Sequence, residues 1–289
     1  MLKRRVGDEL WLISQPEHAA VSGYLAAHWG NDEFASPGYF APAPDPERLR
    51  AETVLAIAEH DNGWWEWEAA PELHPEDGLP LGLLDLSQRQ GMERWHLGVP
   101  RFVEKHPYIS LLVSSHAYWL YAPRCEPHPD AAFFHPLFGD PAGSPPLEGE
   151  DLERAKRFVA EQREIQERLT TWLREDAAWS AAVRPEHLQP HVRLLQLGDA
   201  LSLALCFGGN TALSVQGIPR QSWGDRVTLE LAPGAERRIL CRPYPFDIDP
   251  LPVVIRGRVL PWPVERPVHF QSWWQSLPRQ QIQFEYRSA

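Results

Sequence analysis

The chain has 289 residues, of which 43% are hydrophobic, and a formal net charge of -11. That is apolar material for a substantial core in one large domain or two modest ones, while the acidic balance excludes the clustered Lys and Arg that bind nucleic acid or an anionic membrane surface. Cys125, Cys206 and Cys241 lie far apart without a Cys-x-x-Cys spacing, which excludes a disulfide framework and a thiolate zinc site, and no apolar run follows Met1-Leu2-Lys3-Arg4-Arg5, so a cytoplasmic protein with a small-molecule partner is expected.

In chain order, Arg4–Val6 and Leu10–Ile13 read as two short strands joined across Gly7-Asp8, a dipeptide suited to a tight hairpin. Ser14 is an N-cap, Pro16 and Glu17 occupy a first turn, and Ala20, Val21, Tyr24 and Leu25 carry a helix to Trp29. His18 shares a face with Val21, Ser22 and Leu25, so it points inward. Asp45-Pro46-Glu47 starts a second helix through Glu59, and His60 arrives at its end on the side of Thr53, Ala56 and Ile57. A hydrogen-bonded core histidine and a C-capping histidine are the plain alternatives for these two rings.

Asp61, Asn62 and Gly63 follow at once, then Trp64, Trp65 and Trp67, which either wall a substrate pocket with Asn62 or pack the core. Leu83–Val103 is weakly helical and contains His96. Pro107 opens a clearer helix, Tyr108–Tyr121, whose apolar face of Leu112, Val113, Trp119 and Leu120 contains His116. The Pro- and Gly-rich stretch from Ala122 to Pro146 reads as a loop of lid length, with His128 and His135 expected in solvent. Glu148–Trp179 reads as a long amphipathic strut. The helix from Glu186 to Phe207 has an anomaly in Asp199, which points with Leu195 and Leu203 into the apolar stripe and there demands a partner or a metal. Beyond Gly208-Gly209, Val227–Leu231, Ile239–Cys241, Val253–Ile255 and Ile282–Tyr286 alternate as antiparallel strands, which the N-terminal hairpin could join.

An imidazole and a carboxylate side by side can hold one divalent metal from two directions. Taken in order, His18, the His60-Asp61 doublet, His116 and Asp199 resemble the ligand order of the HD-domain superfamily of metal-dependent phosphohydrolases. The resemblance implies a divalent transition metal, one ion or two, held by His18, His60, Asp61 and Asp199. It further implies His116 as the extra ligand and His96 in reserve; Fe, Mn, Zn and Ni are not distinguished. Asp61 and His116 become the candidate catalytic residues. The segments Leu12-Ile13-Ser14-Gln15-Pro16-Glu17-His18-Ala19-Ala20, His60–Trp64 and Ser114-Ser115-His116 resemble more closely an uncharacterised bacterial family, domain of unknown function 3891.

The expected fold is therefore a mainly α, HD-domain-like helical bundle over residues 14–208. An accessory antiparallel sheet would come from 1–13 and 222–287, in one domain of 1–289. The expected activity is metal-dependent hydrolysis, with a phosphate ester or anhydride as substrate. An HD-type di-iron oxygenase and a non-catalytic small-molecule or protein binding module are the alternatives. Phosphohydrolases of this type often carry Lys where this chain has Trp64, which leaves room for a neutral or aromatic substrate. No glycine-rich dinucleotide motif, phosphate loop, Gly-x-Ser-x-Gly elbow or His-Glu-x-x-His pattern is present.

Overall fold

A computed structural model describes residues 1–126, 128, 130, 133–138, 147–265 and 267–289. The opening hairpin is β1 (Leu2–Val6) and β2 (Glu9–Ile13), turned at Gly7 with φ 61°. Helix α1 (Gln15–Ala27) is capped by Ser14, whose Oγ accepts the Glu17 N–H at 3.4 Å, and α2 (Pro46–Ala58) by Asp45, which accepts from Arg48 N–H at 2.9 Å. The short α3 (Trp65–Ala69) and α4 (Gln88–Gly98) precede α5 (Pro107–Cys125), α6 (Gly149–Glu175) and α7 (Pro185–Cys206).

Four strands, β3 (Leu213–Ser222), β4 (Asp225–Pro233), β5 (Arg238–Arg242) and β6 (Leu251–Pro261), then lead to α8 (Phe270–Ser276) and β7 (Gln280–Ser288).

The chain is 47% helix and 21% strand, and its seven strands form one mixed sheet curled as a half-barrel. The order is β1-β2-β6-β7-β5-β4-β3; β5 and β7 run parallel and every other pair is antiparallel. This overturns the expected mainly α, HD-domain-like bundle with a minor accessory sheet. The sheet is a principal layer: Trp11, Ile13, Ile255, Ile282 and Phe284 are buried within the same core as α1, α5 and α7. The hairpin enters it through β2 against β6, where Trp11 faces Val259.

On the helical side α1 lies between α2 and α7, and α5 packs along α6. The α1–α2 contact is close because Gly23 has no side chain: a Cβ there would collide with Ala58. That contact brings the first turn of α1 to the end of α2. Of the stretch expected as a lid, Ala122–Cys125 continue α5, while residues 127, 129, 131–132 and 139–146 lie outside the described residues. Among the described residues no helix is long and apolar enough to cross a membrane.

Candidate metal centre

Helix α2 ends at Ala58, and the next residues turn into a 3-10 segment, Asn62–Trp64. A helix end leaves carbonyls without intrahelical partners. His60 satisfies one of them: its Nδ1–H donates to Ile57 O at 2.8 Å, so the lone pair of the neutral ring sits on Nε2. That Nε2 is buried and has no hydrogen-bond partner. It faces Asp199 Oδ1 at 3.6 Å and Asp61 Oδ2 at 3.8 Å. Gly63 is required beside the doublet, since a Cβ would run into the Arg94 carbonyl oxygen.

His18 reaches the same point from α1, with Nε2 3.0 Å from Asp61 Oδ2 and 3.5 Å from Asp199 Oδ1. Its Nδ1 is 2.6 Å from Ser202 Oγ, which is in turn 2.8 Å from Ser22 Oγ and 2.9 Å from Asp199 O. A hydroxyl both donates and accepts, so this serine pair serves either tautomer of His18. With the proton on Nδ1, the Nε2 lone pair joins that of His60. Asp199 spans the cluster: Oδ1 faces His18 and His60, and Oδ2 lies 3.2 Å from His116 Nε2 and 3.0 Å from His135 Nε2.

Two carboxylates and four imidazoles are thus buried together, each residue at most 6% exposed. Burial would push the Asp199 carboxyl up, yet His135, His116 and His60 hold it well below the usual range. Burial would also lower His60, but the Asp61 and Asp199 charges and the Ile57 carbonyl raise it to about 9. Without a metal, a proton on His60 Nε2 does what a cation would do between two carboxylates. His116 goes the other way: burial outweighs Asp199 and lowers it to about 4, so its ring is neutral.

His18, His60 and Asp199 form a buried group that could hold a metal ion, their ligand atoms all within 4.8 Å of one another. Ligands about 2.0–2.2 Å from a shared ion lie roughly 3–3.5 Å apart. Asp199 Oδ1 lies 3.5 Å from His18 Nε2 and 3.6 Å from His60 Nε2, close to that spacing, and Asp61 Oδ2 stands beside the group, 3.0 Å from His18 Nε2 and 3.8 Å from His60 Nε2. A mix of imidazole and carboxylate suits a first-row divalent metal, and no thiolate takes part.

Of the residues singled out in the sequence, His18, His60, Asp61, His116 and Asp199 converge. Trp64 lines the adjoining cavity of about 260 Å³, together with His18, Asp61, His116, Asp199, Trp95 and Arg124. Trp67 is buried edge-on against Trp64, 5.5 Å between centroids, and Trp65 is exposed beneath Arg101. Asn62 is buried without lining the cavity: it donates to Glu59 O at 2.8 Å and accepts from Arg101 Nε at 3.0 Å. His96 stands on the surface, 2.9 Å from Glu161.

His135 is the residue that sequence reasoning misplaced. Expected in solvent, it is buried because α7 straps its segment down: Arg193 donates to Phe134 O at 2.7 Å and Gln196 to Phe133 O at 2.9 Å. Its Nδ1 accepts the Leu137 and Phe138 N–H groups, each at 3.2 Å, which leaves the neutral ring's proton on Nε2 beside Asp199. His135 thus sets a buried imidazole nitrogen 3.0 Å from the Asp199 carboxylate. Two polar side chains in α7 at i and i+3, Arg193 and Gln196, inside an apolar run were the available signal.

Residues 1–262 match the family described as Protein of unknown function (DUF3891), and the chain belongs to it. No curated protein and no solved structure matches the chain.

Proposed function

We propose that the protein is a metal-dependent hydrolase with one divalent ion held by His18, His60, Asp61 and Asp199, acting on a small phosphate ester or anhydride. The observation that carries this reading is the buried, unpartnered Nε2 of His60 set against two carboxylates. Such an arrangement strains the fold unless a cation or a proton fills it. The donor order along the chain, an early-helix His, the doublet and a late-helix Asp, supports the same reading.

A divalent ion supplies a water of lowered pKa and polarises the electrophile. The residues around it divide the remaining work. Asp61 and Asp199 supply the negative charge that retains the ion, the Ile57 carbonyl holds the His60 ring in the ligating tautomer, and Ser202 orients the His18 ring. His116 lines the cavity as a neutral imidazole whose Nδ1 has no partner, a hydrogen-bond acceptor for substrate or water. Arg124 lines the same cavity and supports an anionic substrate, offsetting the lack of a basic side chain at Trp64.

The test is elemental analysis of the purified protein together with assay of chromogenic phosphomonoesters and phosphodiesters before and after chelation. About one divalent ion per chain and hydrolysis that chelator abolishes and metal restores are expected. A folded protein that carries no metal and takes up none would overturn the reading.

A further inference from the structure

A second recess, of about 440 Å³, lies between the first turn of α1, α3, β6 and the residues around α8. Its lining includes Arg256, Arg258 and Arg279 together with Glu17 and Glu68. Glu17 holds Arg279 at 3.0 Å, and Glu68 Oε1 lies 3.0 Å from the Met1 ammonium while its Oε2 is buried with no partner. Among the described residues Arg256 and Arg258 have no ion pair. In a chain of net charge -11, two uncompensated guanidiniums at i and i+2 on one face of a strand are a local reversal of sign.

Arg258 is also held in place. Its guanidinium lies 3.6 Å from the centroid of the Trp274 ring, which is itself stacked on Phe270, and its Nε is buried with no hydrogen-bond partner. Stacking on an indole fixes the plane of the guanidinium fork, and the fork is shaped to receive a carboxylate or phosphate through two parallel hydrogen bonds. Burial and the neighbouring Arg279 both work against the charge of Arg258, a cost that an incoming anion would relieve.

From these groups we infer that the recess is a binding site for a phosphomonoester, with Arg256 and Arg258 on the phosphate and Arg279 released from Glu17 to close over it. The recess has room for a phosphate that carries a small organic body. The site is independent of the metal centre, although Gln15 of the same helical turn lines the metal-site cavity.

The experiment is calorimetric titration of the full chain with glycerol phosphate and with inorganic phosphate at low ionic strength, with chelator present to remove binding at the metal centre. Glycerol phosphate is expected to bind more tightly than inorganic phosphate. Its affinity is expected to fall at least tenfold in R256Q/R258Q and about as much in R258K, which keeps the charge and loses the fork. R279Q, at a side chain 63% exposed, gives a second reading should the double variant fail to fold, and a severalfold loss is expected. Absence of binding at millimolar ester, equal binding by wild type and the folded variants, or tighter binding of inorganic phosphate than of the ester would each overturn the inference.

Discussion

His191 and His60 are both buried, at 0% and 1% exposure, and both sit among helices of the same core. His191 is fully provided for. Its Nε2 accepts the Gly38 N–H at 3.2 Å, its Nδ1–H donates to Tyr108 Oη at 2.6 Å, among the described residues no carboxylate pairs with it, and burial lowers it to about 3. His60 has one nitrogen satisfied by Ile57 O and the other turned, unpartnered, on Asp61 and Asp199. The difference shows that burial alone does not mark a functional histidine. The mark is an interior ring nitrogen with no hydrogen-bond partner and negative charge around it.

The largest effect is expected from removing the charge around His60. Asp199→Ala is expected to weaken metal affinity by more than about a hundredfold, beyond the 10–100-fold typical of groups that only orient ligands. Elemental analysis and a metal titration read this directly, and a wild-type metal content in the variant would refute the centre. Ser202→Ala, which deprives His18 Nδ1 of its partner, is expected to cost roughly 10–100-fold in affinity while the fold persists, as circular dichroism would report.

On the other side, His191→Phe is expected to leave metal content unchanged. It should lower unfolding free energy by about 1–3 kcal/mol, because the Gly38 N–H and the Tyr108 hydroxyl lose a buried partner. Denaturant titration checks it. The same substitution removes a pH dependence. The unfolded ring takes up a proton near pH 6.5, whereas the native ring, lowered to about 3, does not, so the unfolded state binds more protons between these values. Wild-type stability relative to the variant should therefore fall by about 1.4 kcal/mol per pH unit as pH drops from roughly 6.5 toward 3. The smallest effect is expected at His96, half exposed beside Glu161: His96→Ala should change stability by less than about 1 kcal/mol and metal content not at all.

The convergent residues were legible where helical periodicity and caps speak. Ser14, Asp45 and Pro107 mark three helix starts at or next to the observed first residues, and the faces so defined send His18, His60 and His116 inward. His135 was not legible because its segment has no period, and it is buried through Arg193 and Gln196, some sixty residues later in the chain.

The sheet was under-read for a related reason. β3 carries Gly217 and Pro219, and its register shifts between Val215 and Ile218, so its residues do not alternate. The β2–β6 and β5–β7 pairs join distant segments, and nothing local announces them. Among the tryptophans, Trp64 and Trp65 are adjacent, yet one meets the cavity and the other faces solvent. That division depends on where the 3-10 turn hands over to α3, a boundary that composition does not fix.

The cluster also has a mechanical consequence. His18 and Ser202 are 184 positions apart in the chain, and Asp61 lies on neither of their helices. An ion shared by His18, His60, Asp61 and Asp199 would act as a cross-link closing most of the molecule into one loop, with its binding free energy added to folding. Loaded protein should therefore hold the α1–α7 contact shut against amide exchange, and chelation should release α1 first.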